Sequence, residues 1–379
     1  MNTNNFINFV RNKYNTNDFI PLHAPVFNGN EKKYLNNTID TTFVSSVGKY
    51  VDKFEIDLAD FLKAKKSVAV VNGTSALQVA LRLAGVNEGD EVITQSLTFV
   101  ATINAIKYNN ANPIFIDVDL DTMGLSPEHV ENFLNKNGEL REDGCYNKSN
   151  GKKISACMPM HTFGFPVHIN ELLKICKKWK IPLVEDAAES IGSKYNNIYT
   201  GNFGLLSAIS FNGNKIITTG GGGSIITNND VLAKNAKYLT TTAKVSHPYH
   251  YIHDEIGYNF RMPNLNAALG CAQLENLSRI IKNKRELAND YNNFFLSCGI
   301  KFRNELPNTK ANYWLMCIEL ESKKDRDLFL KESNKMNVMT RPIWKLMTKL
   351  PMFKNYYKDS QINSNYLEDR IVNIPSSAT

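Results

Sequence analysis

A chain of 379 residues with 42% apolar and 21% charged side chains can bury a large core, and its composition excludes a disordered or fibrous protein. The formal charge of +7 is spread over short lysine groups such as Lys63, Lys65 and Lys66, which reads as solvated helix faces, not a nucleic-acid surface, though a mildly positive field favours an anionic substrate. The 6 cysteines are scattered without a C-x-x-C pair, so no metal or redox site is signalled; no leader pattern and no run of about 18 apolar residues is present, so a cytoplasmic chain with no membrane partner is expected.

From Ser67 onward, short β-branched runs alternate with segments of helical period, the signature of βαβ units around a mostly parallel sheet. Ser67 to Val71 reads as a strand, Ser75 to Leu83 as a helix and Glu91 to Thr94 as the next strand. A helix from Thr98 to Tyr108, a strand from Ile114 to Val118 and a helix opened by Ser126 and Pro127 follow. Residues 135–153 are polar and rich in Asn, Lys and Gly, which predicts an exposed excursion within the domain. The rhythm resumes at Ile154 to Met160, Ile169 to Trp179, Pro182 to Glu185, Leu206 to Phe211 and Gly223 to Ile226.

Beyond Pro263 the pattern changes to a helical tract from Leu265 to about Asn289, strands near Ile300 to Phe302 and Tyr313 to Glu319, and a helix from Asp325 to Lys335. This predicts an α/β architecture in two parts. Residues 1–262 form a large domain with a mostly parallel mixed sheet between helices, and residues 263–379 form a smaller α+β domain.

Three segments place chemistry at predicted strand ends, where α/β sheets build ligand sites. Asn72-Gly73-Thr74-Ser75 opens a helix; the glycine allows close backbone approach, and the hydroxyls and N–H groups at the helix start suit a phosphate. Glu185, Asp186 and Glu189 follow an apolar strand, where a carboxylate needs a cationic or hydrogen-bonding partner. Lys215 lies between Ser210-Phe211 and the run Thr218 to Gly223, a glycine- and threonine-rich turn that solvates an amine poorly and so suits a Schiff-base lysine. Singly, each segment is also what a capped helix, a turn-capping acid or a solvated loop lysine would give.

In this order the segments resemble the DegT/DnrJ/EryC/StrS sugar aminotransferase family, of fold type I and dependent on pyridoxal phosphate, over nearly the whole chain. The resemblance implies that Lys215 carries the cofactor and that Asp186 pairs with its pyridine nitrogen. It further implies that Phe99 lies against the cofactor ring, that Gly73, Thr74, Ser75 and Ser210 hold the phosphate, and that Glu189 replaces a glutamine near the phenolic oxygen. Asn259 matches an asparagine that reaches the partner subunit's phosphate in relatives, implying a homodimer with shared sites. Ser45, Ser46, His161, Arg341 and Trp344 are candidate substrate contacts, and no metal is implied.

Gly222 stands where many relatives have glutamate; with the segments Ile20 to Pro25, Phe43 to Lys49 and Asp121 to Ser126 it makes the chain similar to the legionaminic-acid subgroup. That subgroup implies amination of a UDP-linked 4-keto-6-deoxy-N-acetylhexosamine at C4, with glutamate as the expected donor. Amination at C3, a GDP-linked sugar, or a non-catalytic cofactor- or sugar-binding protein are the alternatives. The last would be expected to lose Lys215 or Asp186, and both are present.

Overall fold

The computed structural model describes residues 3–379. Its centre is a mixed sheet in two hydrogen-bonded parts. One part runs in the order Asn112–Ile116, Glu91–Gln95, Lys153–Met158, Gly144–Asn147, Gly138–Arg141, and the other in the order Lys66–Val70, Gly223–Thr227, Leu206–Ser210, Val184–Asp186. Parallel bridges from Cys157 to Leu183 and from Met160 to Asp186 join them, so strand Lys153–Met158 is continued by Val184–Asp186 at one end and by the hairpin at the other. Strand Gly223–Thr227 runs antiparallel to both of its neighbours.

These strands are apolar on both faces because helices cover both, as expected of a sheet buried between layers. Helix Gly73–Leu83 packs across Leu206–Ser210 and Gly223–Thr227, burying Ala76, Leu77, Ala80 and Leu81. On the other side of the molecule the 34-residue helix Asn264–Ser297 lies against helices Lys49–Leu62 and Glu31–Asp40. Gly270 permits that approach, since a Cβ there would sit 2.7 Å from the Phe54 ring.

A second, four-stranded antiparallel sheet, in the order Lys301–Phe302, Met316–Glu319, Ile371–Ile374, Arg341–Pro342, carries the C-terminal residues. Helix Lys323–Lys335 packs beside it, and the N-terminal helix Thr3–Tyr14 seals that helix through Phe6, whose ring lies 5.0 Å from Phe329 and 5.8 Å from Phe295.

Two sequence expectations are corrected. Residues 135–153 are not simply an excursion: Gly138–Arg141 and Gly144–Asn147 form a hairpin that extends the main sheet. Its polar residues are legitimate there because Asn147 and Asn150 donate to the Glu91 carboxylate at 2.8 Å each. The long helix also continues past Asn289 to Ser297. The asparagines at 289, 292 and 293 disfavour helix locally, but fully buried Tyr291 and Phe295 anchor the last turns in the aromatic core.

Candidate active site

The carboxyl ends of the main-sheet strands open into one cavity of about 610 Å³, within the range that holds cofactors and small substrates. The C-terminal sheet closes its opposite wall through Trp314, Arg341, Trp344 and Asn373.

At one end, strand Lys66–Val70 delivers Asn72, whose side-chain oxygen caps the following helix by accepting from Ser75 N–H at 2.8 Å. Gly73 and Thr74 then face the cavity beside Ser210. A Cβ on Gly73 would lie 2.8 Å from the Ser210 Cβ, so only glycine lets the helix start and the strand end meet. The result is a turn of backbone N–H and hydroxyl groups at a helix N-terminus, which suits a phosphate.

At the other end, Asp186 terminates strand Val184–Asp186. Thr102 Oγ1 donates to its Oδ2 at 2.7 Å and the Ala188 N–H to its Oδ1 at 3.1 Å. Burial raises the Asp186 pKa, and these two donors oppose the rise.

Lys215 sits between the two ends, on the turn after Ser210, with 9% of its surface exposed. Its Nζ lies 3.2 Å from Glu189 Oε1 and 3.7 Å from the centre of the Trp314 ring. Trp314 is held in place by its indole N–H, which donates to the Asn214 carbonyl at 2.7 Å. Glu189 Oε2 accepts from the Phe163 N–H at 2.9 Å. Phe163 adopts φ 55° to make that contact, a strained conformation for a bulky residue, and its ring packs 4.8 Å from Trp344.

Burial pushes the Glu189 pKa up to about 7, against the opposing charge of Lys215. Its folded value therefore exceeds the ordinary 4.5, and the native state holds a proton that the unfolded chain releases between about pH 4.5 and 7. Stability from this group is lost as pH rises through that interval. In the cofactor-free protein, Glu189→Gln should remove this loss, so the Tm of the variant relative to wild type rises from pH 4.5 to 7 and then levels. Calorimetry across that range checks it, and parallel curves would contradict the assignment.

Of the residues singled out from sequence, Gly73, Thr74, Phe99, Asp186, Glu189, Ser210, Lys215, Arg341 and Trp344 share this cavity. Phe99 is 49% exposed, at the start of helix Val100–Tyr108. Ser75, expected at the phosphate, is buried and does not line the cavity, and its N–H is already engaged by Asn72. Four others are not on the cavity wall of this chain. His161 is fully buried below the Asp186 strand: the Val167 N–H donates to its Nδ1 at 3.2 Å, so Nε2 carries the proton and donates to Glu185 at 3.0 Å. Glu185 also takes three backbone N–H groups, from Gly201, Phe203 and Gly204, so His161 and Glu185 pin the loop under the site.

Ser45 and Ser46 lie on the loop before helix Lys49–Leu62, where the Ser45 carbonyl accepts the Asn264 N–H at 2.6 Å. Asn259 is exposed, and its Oδ1 accepts from Arg261 Nη2 at 3.0 Å.

Sequence reasoning missed Trp314 and Thr102. For Thr102 a signal was present: Thr98 and Thr102 put two hydroxyls four residues apart at the start of an apolar helix, and in the structure they share a 2.7 Å hydrogen bond. For Trp314 there was none beyond a strand-like segment, because its contact with Lys215 is made only by domain packing.

This constellation agrees with what similarity to known proteins shows. The sequence pattern of the DegT/DnrJ/EryC1/StrS aminotransferase family matches residues 26–379. The chain belongs to this family. It is therefore a pyridoxal-phosphate-dependent sugar aminotransferase of the fold type I architecture. The aminotransferase is 36% identical to a GDP-perosamine synthase of Vibrio cholerae over 362 residues, 94% of either chain. It is 35% identical to a GDP-perosamine synthase of Escherichia coli O157:H7 over 358 residues, 94% of this chain and 93% of that one. Among solved structures, Helicobacter pylori PseC superposes with a TM-score of 0.86 over 94% of each chain, and at 22% identity this shows the shared fold.

The residues present fit the cofactor. A buried acid, a buried amine and a glycine-gated cradle of N–H and hydroxyl donors line one cavity, and a Cβ would fill the cradle. Among the described residues no helix is long and apolar enough to cross a membrane.

Proposed function

We propose that this aminotransferase transfers an amino group from glutamate to C4 of a nucleotide-linked 4-keto-6-deoxy sugar. The observation that carries this reading is the placement of the Lys215 amine between a buried acid pair, Asp186 and Glu189, and the Gly73-Thr74-Ser210 cradle. When bound, pyridoxal phosphate supplies a carbonyl that condenses with amines and an electron-poor ring that stabilises charge at the carbon losing a proton.

Gly73, Thr74 and Ser210 would hold the phosphate, and Asp186, fixed by Thr102, would favour a proton on the pyridine nitrogen. Lys215 Nζ is the general acid–base, removing the proton from the donor's Cα and delivering one to C4 of the sugar in the reverse half. Phe99, Trp314 and Trp344 wall the cavity with apolar surface that keeps water from the reacting atoms.

A UDP-linked N-acetylated sugar is supported by the resemblance at Gly222, a position where a Cβ would press on the Thr219 hydroxyl and the Met262 methyl, so that a side chain there requires both of those groups to shift. A GDP-linked sugar is the second reading, favoured by the relatives that carry the name GDP-perosamine synthase.

The same reading makes the active unit a homodimer. The loop bearing Phe43 and Val47 and the segment bearing Tyr249, Tyr251 and Ile256 present large apolar side chains to solvent, Tyr251 at 82% exposure. A second copy covers them, and Ser45, Ser46 and Asn259, which lie off their own chain's cavity, then serve the partner's site.

The test is a mass-spectrometric assay with glutamate and a panel of UDP- and GDP-linked 3-keto and 4-keto sugars. The expected product is a 4-amino sugar from a 4-keto substrate. Conversion of the 3-keto sugars alone, or of none, would sink the reading.

A further inference from the structure

Once Lys215 gives up the cofactor, its free amine must rest somewhere in the cavity. Two groups flank Nζ: Glu189 Oε1 at 3.2 Å and the face of Trp314, whose ring centre lies 3.7 Å away. Both favour a cationic amine, the carboxylate by its charge and the indole by the negative face of its ring.

Trp314 is only 4% exposed, and each of its polar groups is tied to a different part of the chain. Its indole N–H donates to the Asn214 carbonyl at 2.7 Å, its backbone N–H donates to Asn312 Oδ1 at 2.8 Å, and its carbonyl accepts from Lys284 Nζ at 3.2 Å. Asn312 Nδ2 in turn donates to the carbonyls of Glu189 and Ile191 at 2.9 Å each. One buried amide therefore fixes both groups that flank the Lys215 amine.

Lys284 is the costly part of this frame. It is fully buried on helix Asn264–Ser297, and among the described residues it makes no ion pair and donates to the carbonyls of Trp314 and Ser376. Burial drives its pKa well below the ordinary lysine value, and the two N–H groups of a neutral amine meet those two carbonyls. An apolar residue would fill the core at less cost, so what this lysine secures is the position of Trp314.

We propose that the face of Trp314 is the seat of the Lys215 ammonium whenever the lysine is released from the cofactor, and that it thereby sets the balance between the lysine-linked and aminated forms of the protein. A free ammonium presents a compact charge to the ring, whereas a nitrogen joined to the cofactor shares its charge with a larger system. Trp314 favours the released lysine, the state that follows amino transfer from the donor.

The inference rests on the reading that glutamate is the donor. Cofactor-loaded protein is equilibrated with glutamate and 2-oxoglutarate at varied ratios, and absorbance gives the ratio at which half of the cofactor is aminated. Trp314→Leu should raise that ratio by about three- to thirtyfold. Trp314→Phe, which restores a ring face without the N–H, should recover most of the shift. Calorimetric titration of the cofactor-free proteins with pyridoxamine phosphate should find the same affinity in all three, because Lys215 is free before and after that binding. An unchanged ratio in Trp314→Leu, equal shifts in both variants, or a parallel loss of pyridoxamine phosphate affinity would each overturn the seat.

Fluorinated tryptophan keeps the shape of the ring while draining charge from its face, so it serves even if Trp314→Leu fails to fold. Of the three tryptophans only Trp314 lies over the Lys215 amine. Incorporated throughout the cofactor-free protein, the fluorinated residue should make Lys215 react with acetic anhydride about threefold faster or more, with exposed lysines as the standard. An unchanged rate would overturn the seat. This measurement needs no donor, so a wild-type protein that glutamate converts at no ratio would lose the donor reading while the seat is still tested.

Discussion

Lys215→Ala is expected to lose turnover by at least about 10⁴-fold, since in the proposed mechanism it removes both the covalent anchor for the cofactor and the group that moves the proton. The geometry leaves no substitute. Among the residues around the reacting position, Asp186 is engaged by Thr102 and Ala188, and Glu189 is fixed by the Phe163 N–H. Neither can reach across as a base without abandoning those bonds. Lys215→Arg should fail nearly as completely, because a guanidinium keeps its proton at any working pH and cannot act as a nucleophile. Both variants should still fold, since the Lys215 side chain lines the cavity without joining the packed core. Single-turnover rates and near-ultraviolet dichroism separate loss of chemistry from loss of structure; a Lys215→Ala protein retaining more than a few per cent of activity would contradict the role.

Asp186→Asn should lower turnover by about 10² to 10⁴-fold while keeping the shape of the site. The carboxylate is buried, which raises its pKa, and the donors Thr102 and Ala188 oppose the rise, as a protonated ring nitrogen beside it would further do. The amide would keep the size and one acceptor but no negative charge, and the ring nitrogen would lose its proton. The cofactor should still load through the cradle and Lys215, so its absorbance persists while the donor half-reaction slows. Loss of cofactor affinity without slowing of the loaded protein would instead assign Asp186 a binding role alone.

How much of this was legible in the sequence follows from what each feature depends on. Gly73, Asp186, Ser210 and Lys215 were visible because each immediately follows an apolar run or lies in the turn after one, and strand ends of a mostly parallel sheet converge at one edge whatever the details of packing. The cap by Asn72 and the start of the helix at Gly73 are local, and the structure places them at the expected strand end. The wall contributed by the second sheet was legible only in part: Arg341 and Trp344 were candidates, whereas Trp314 and Asn373 were not. Trp314 belongs to a segment whose sequence says only that it is strand-like, and the segment bearing Asn373 carried no assignment; their place at the site exists because the C-terminal sheet packs there.

His161 shows the opposite limit. A histidine near a strand end is a plausible substrate contact on sequence grounds, yet its pairing with Glu185 turns it beneath the sheet, and nothing local distinguishes the two orientations. The hairpin at Gly138–Asn147 and the last turns of the long helix were hidden for a related reason: polar or asparagine-rich stretches were held in regular structure by partners such as Glu91 and Phe6, distant in sequence.

The central claim is that Lys215 is the residue joined to the cofactor. Borohydride treatment of the loaded protein, followed by protease digestion and mass spectrometry, tests it most directly, because reduction makes the link permanent. The account predicts the mass of the reduced cofactor on the peptide containing Lys215 and on no other lysine. A protein that takes up pyridoxal phosphate but carries the label elsewhere, or carries none after reduction, would contradict it.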